Sequence, residues 1–190
     1  MPKEGEPPVK IVTIPRGEET EPGEEWRVLA PGTRWTCLKC GECCRRAYRV
    51  NITWVEFRRA TEDPEIREKF RVDGVIVDPS TGLSHPFFGI EGGCPYLDPK
   101  TNLCTIHPKR FYSCAAWPFL LHTDGKIYYS KECPGFGRGP EVDPRRVLKE
   151  ILHHRERAGM VTERERVEKC WKWIEERFGL KSKYVTPDEL

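Results

Sequence analysis

The 190-residue chain has no glutamine and only two asparagines, Asn51 and Asn102, while 33% of its residues are Asp, Glu, Lys or Arg. Few thermolabile amides beside abundant charge is a thermophile's composition. Charge of one dominant sign is also missing: 32 basic and 30 acidic residues are interspersed and leave a net charge of +2. No single-sign field therefore draws the chain to nucleic acid or to an anionic membrane. No apolar run approaches the length of a membrane span, and the first eight residues, Met1 to Pro8, are charged and proline-bearing where a secretory signal needs an apolar stretch. The expectation is a soluble, cytoplasmic protein. Internal repeats of useful length and a glycine-rich nucleotide loop are absent too, and the length suits one compact domain with extensions.

What the chain has is cysteine. Eight of its nine cysteines lie between positions 37 and 133: Cys37, Cys40, Cys43 and Cys44 in one octet, then Cys94, Cys104, Cys114 and Cys133 singly. Thiolates at this density point to metal ligation, since free thiols so grouped would be an oxidation liability. The odd count and the tiny loops that bridges within the octet would close argue against structural disulfides, although hyperthermophiles do use them inside cells. Cys37-x2-Cys40-x2-Cys43 is the spacing by which a loop wraps three corners of a [4Fe-4S] cluster, and Cys94-Pro95 or Cys133-Pro134 suits the remote fourth ligand. Cys37-Leu38-Lys39-Cys40-Gly41 has equally the form of a zinc knuckle. One loop offering four thiols, with single distant partners, favours iron–sulfur over zinc. Adjacent side chains in an extended segment point to opposite sides, so Cys43 and Cys44 are expected at different sites. The provisional partition is Cys37, Cys40, Cys43 and Cys133 at one, and Cys44, Cys94, Cys104 and Cys114 at the other.

The coarse element pattern predicts a small α+β fold: a metal-organised, cysteine-rich core of short strands and a β-hairpin, flanked by helices and a C-terminal helical pair. Its expected parts are an extended N-terminal arm (1–30), a cysteine-cluster metal-binding domain (31–140) and a C-terminal helical extension (141–190). Val9–Ile14 and Trp26–Leu29 read as extended segments of an arm or hairpin. Thr53-x2-Glu56 is a capping box opening a helix over 54–62, Asp63-Pro64 opens a second through Phe70, and Val72–Val77 is a strand. Two β-prone runs flank Asp124-Gly125, the strongest short hairpin signal, and the hairpin is expected to bring Cys114 and Cys133 to one end. Asp143-Pro144 starts a helix that Gly159 stops, and Thr162-x2-Glu165 caps a last helix with the apolar stripe Val167, Trp171, Ile174 and Phe178.

These features resemble the CxxCxxCC cysteine-cluster family, the YkgJ-type proteins described as zinc- or iron-chelating and related to the flagellin lysine N-methylases. The likeness runs from Cys37 to about Gly135, through Cys37-x2-Cys40-Gly41-x-Cys43-Cys44, Thr53-x2-Glu56, Cys94-Pro-Tyr-Leu, Cys104-Thr-Ile, Arg110, Cys114, Pro118 and Cys133-Pro-Gly. His107, Phe111 and Ala115 depart from it, standing where tyrosine, proline and a basic residue are usual. The resemblance implies metal or iron–sulfur binding; it implies S-adenosylmethionine-dependent methyl transfer only for one branch, and that activity is not carried over.

Two functions fit. One is an iron–sulfur protein in electron transfer or in a protein-modification enzyme, such as an oxidoreductase or a methylase relative. The other is a zinc-stabilised interaction module without catalysis. Either implies a protein partner or substrate, and no catalytic base, nucleophile or substrate pocket is legible. Cys170, beside the last helix's apolar stripe, reads as a core residue. His85 and His107 read as loop residues before prolines more simply than as ligands, and His153-His154 as solvated. Arg45-Arg46 either neutralises the thiolates or is merely exposed. The aromatics around the cysteines, Phe87, Phe88, Tyr96, Phe111, Tyr112, Trp117 and Phe119, read as core before pocket.

Overall fold

The computed structural model describes residues 10–13, 23–46, 49–77, 84–89, 93–160, 162 and 164–180. The architecture is α+β, with short strands in three small sheets and helices packed over them. The first sheet has the order β1 (Lys10–Thr13), β5 (Gly74–Val77), β6 (Ser84–Gly89), β4 (Arg49–Asn51); β1 pairs parallel with β5 and the other pairs are antiparallel. The second joins β2 (Trp26–Val28) to the hairpin of β7 (Phe119–Leu121) and β8 (Ile127–Ser130). In the third, β3 (Arg34–Trp35) pairs with β9 (Phe136–Glu141). The two N-terminal strands thus add to separate sheets and do not pair with each other. Among the described residues no helix is long and apolar enough to cross a membrane.

The helices start where local chemistry dictates. The short α1 spans Glu42–Arg46 and α2 spans Trp54–Glu62, the latter with both halves of its capping box formed by Thr53 and Glu56. Asp63 ends α2 and caps α3 (Pro64–Arg67), which stops short of Phe70. After a 3-10 turn (His107–Lys109) comes α4 (Tyr112–Ala116). Asp143 caps α5 (Pro144–Arg157) and Gly159, in the left-handed region, follows it. α6 spans Arg164–Phe178; the expected capping box at its start includes Glu163, outside the described residues.

Two apolar cores result. One gathers Leu29, Phe119, Leu121 and Ile127 under Val147, Leu148 and Ile151 of α5 and Cys170, Trp171 and Ile174 of α6. The C-terminal helices are therefore half of a core, covering the hairpin. Cys170 is fully buried there, as expected of a small apolar residue. The second core gathers Val50, Ile52, Ala60, Ile66, Phe88, Tyr96, Ile106 and Phe111, and the thiol-bearing residues Cys94, Cys104 and Cys114 pack against it. Phe57, Phe70, Phe88 and Phe111 meet through ring centroids 5.4–6.1 Å apart. The aromatics near the cysteines thus mostly pack the interior.

Candidate metal centre

Downstream of β3 the chain reverses through Lys39 and Gly41, both at positive φ. Glycine is needed at 41 for a second reason: a Cβ there would lie 3.0 Å from Leu97 Cδ1 and 3.2 Å from the Asn102 carbonyl. Without it the loop lies against the 97–102 turn and feeds straight into α1 through Cys44 N–H to Gly41 C=O, 3.0 Å. Arg45 stitches the two loops together, donating to Cys40 O at 2.6 Å, to Glu42 Oε1 at 3.2 Å and to Asn102 Oδ1. Arg45, read as neutralising thiolates or as merely exposed, is thus a loop tie.

Cys43 and Cys44 both belong to α1, where neighbouring side chains are separated by about 100° and not by the half-turn of a strand. The extended segment on which their separation was expected is thus helical, and both lie beside Cys94. The Cys94 amide donates to Cys44 O at 3.0 Å, which holds the second loop against α1. Cys104 is presented by the bridge Leu97↔Cys104 and by Thr105 N–H to Tyr96 O at 2.8 Å. Tyr96, buried, donates its hydroxyl to Ile66 O at 2.8 Å and locks that turn to α3. Cys114 comes from α4.

The thiols share protons as a group. Cys44 lies between Cys43 and Cys94, and hydrogen bonding among the three lowers Cys43 to about 6 and Cys94 to about 7 and pushes Cys44 itself far up. The Arg110 charge also favours the Cys43 thiolate. Burial raises Cys104, and burial with the negative charges of Cys94 and Cys104 pushes Cys114 up to about 12. Cys43 and Cys94 are thus the most readily deprotonated of the group, and a bound cation would displace the protons of the others. Arg110, whose guanidinium donates to His107 Nε2 at 2.7 Å, brings positive charge to Cys43. His107 is thereby a hydrogen-bond acceptor.

Cys133 takes a different position. Its Sγ accepts from Trp35 Nε1 at 3.4 Å, and Thr36 N–H donates to Gly135 O at 3.3 Å, so it sits at the base of the loop carrying Cys37 and Cys40. The hairpin forms as expected, yet Cys114 faces Cys94 and Cys104 while Cys133 faces Trp35. Cys37 is exposed and Cys40 half-buried. Among the described residues no three His, Cys, Asp or Glu side chains already surround one point closely enough to hold an ion. The donor set is nonetheless of the right chemistry: soft thiolates suit zinc and iron.

The CxxCxxCC family, described as "Putative zinc- or iron-chelating domain", matches residues 36–134, just over half of the chain. The chain belongs to this family. The matched span contains all eight clustered cysteines, and zinc or iron chelation is what the family's description names. No curated protein and no solved structure matches the chain.

Two residues named from the sequence have roles that it did not show. Arg110 acts on thiols distant in sequence, which only the fold brings to it. Glu56 was legible as a helix cap, but its carboxylate also accepts from Tyr112 N at 2.7 Å, a partner 56 positions away.

Proposed function

We propose that the chain is a zinc-stabilised module in which one ion takes four of the five grouped thiolates of Cys43, Cys44, Cys94, Cys104 and Cys114. The observation supporting this reading is that Cys44 hydrogen-bonds with both Cys43 and Cys94, beside Cys104 and Cys114 packed against the second core. Sulfurs so close suit the corners of one tetrahedral ion; the corner ligands of a cubane cluster stand farther apart. Zinc supplies no redox chemistry in such a closed shell. Its role is to tie α1, the Cys94 and Cys104 turns and α4, elements too short to hold one another. The module then offers its surface to a protein partner or substrate.

The position of Cys133 favours a second reading, in which Cys37, Cys40 and Cys133, with Cys43, hold a [4Fe-4S] cluster serving electron transfer or protein modification. The Trp35 N–H aimed at Cys133 Sγ is the kind of donor that tunes such a cluster's potential. Anaerobic purification with metal and sulfide analysis separates the two. Zinc without iron, lost when Cys94 and Cys114 are both replaced by Ser but kept by Cys133→Ser, is the outcome expected for the zinc module. Iron with sulfide and visible absorption, lost from Cys133→Ser, would replace it with the cluster.

A further inference from the structure

We propose that Glu56 is a positioning residue of the thiol site, acting as a remote cap that aims Cys114 at Cys94 and Cys104. The proposal rests on the metal-binding reading of those thiols. α4 is five residues long and no side chain of its own N-cap residue, Phe111, bonds to it. A helix this short has little intrinsic stability, and its first amides need partners. The partner of the first comes from α2. Glu56, 2% exposed, accepts from Tyr112 N with Oε1 at 2.7 Å and from Thr53 N with Oε2 at 3.2 Å, and Arg59 Nη2 lies 3.6 Å from Oε1. Ser113 adds a second tie, its hydroxyl donating to Asn51 O at 2.9 Å. The next residue is Cys114. Two successive residues are thus pinned, one to α2 and one to β4, immediately before a candidate ligand.

Burial pushes the Glu56 carboxyl above its ordinary range, and Arg59 and the two amides only partly offset that cost. A carboxylate that merely closed a capping box would sit at the surface, where its desolvation costs nothing. Here one oxygen serves α2 and the other serves α4. The reach matters as much as the charge. Glutamine keeps an oxygen for Tyr112 N, whereas aspartate, one methylene shorter, cannot span both partners.

The test compares wild type with Glu56→Ala, Glu56→Asp and Glu56→Gln. In chelator-stripped protein, iodoacetamide labelling located by mass spectrometry should rise several-fold at Cys114 in Glu56→Ala and Glu56→Asp, with Cys170 unchanged and Glu56→Gln close to wild type. Zinc affinity should fall at least about tenfold in the same two variants, the loss usual when a group orienting a ligand is removed. Wild-type labelling of Cys114 in Glu56→Asp, an equal rise at Cys114 and Cys170, or a Glu56→Gln as impaired as Glu56→Ala would overturn the proposal. If Glu56→Ala does not fold, the Asp and Gln variants decide it, and failure of all three to fold assigns Glu56 to folding alone. A wild type that binds no zinc defeats the metal reading, while the labelling still decides the positioning.

Discussion

Cys170 and Cys114 are both pushed up to about 12, chiefly by burial, yet one is packed among apolar side chains of α5 and α6 and the other faces further thiols. The difference is testable. Cys170 should stay unlabelled by iodoacetamide in mildly alkaline buffer until the protein unfolds, because the thiolate is the reactive form. Cys170→Ala should leave metal content unchanged and cost about 1 kcal/mol, the scale of a small core truncation. Gly125 shows the same dependence on surroundings. Its φ is +81°, and a Cβ would lie 2.6 Å from Lys169 Cβ of α6. Gly125→Ala should therefore destabilise by about 1–3 kcal/mol, combining left-handed strain with a displaced helix, as measured by urea denaturation.

Among the elements, α2 and α5 are set by their caps. Thr53 Oγ1 accepts from Glu56 N at 3.1 Å and donates to Ala158 O at 2.6 Å, so one hydroxyl starts α2 and closes the end of α5. Thr53→Ala should cost about 1–2 kcal/mol, the upper range for a lost N-cap, by thermal or urea unfolding. Asp143 is held below the usual carboxylate range, first by the Arg145 side chain and then by the Arg145 amide, against the opposing effect of burial. Its folded pKa is the lower one, so its stabilisation is present above its unfolded value of about 4 and is lost as pH falls through the folded value. Asp143→Asn still caps but carries no charge. It should be less stable than wild type at neutral pH by on the order of 0.5 kcal/mol, given how exposed the pair is, and equal to it in strong acid.

For the whole molecule, the two cores have different supports. The hairpin with α5 and α6 holds itself by apolar burial, whereas the core around Val50, Tyr96 and Phe111 is lined by cysteines from two turns and from the five-residue α4, beside α2 and the four-residue α3. Removing metal with a chelator should therefore raise amide exchange in β4, α4 and the 94–110 turns more than in β7, β8, α5 and α6. Equal loss of protection in both would show that metal supports the two cores alike.

Much of this was readable from the chain because it rests on local rules. The boundaries of α2, the start of α5, the Asp124-Gly125 hairpin and the burial of Cys170 follow from caps, turn residues and periodicity within a few residues of each other. The eight cysteines and the family's spacing pattern are likewise properties of order along the chain. Which sulfurs meet is not. That Cys43 joins Cys44 and Cys94 depends on five residues turning helical against a distant loop, and that Cys133 reaches Trp35 depends on β3 pairing with β9. Arg110 and the second oxygen of Glu56 find their partners across folded space, where sequence separation carries no information about distance. The thiol-rich composition and the caps that open α2, α3 and α5 are written in local order along the chain; the grouping of the sulfurs is not, because contacts between short elements are set by how their buried faces pack.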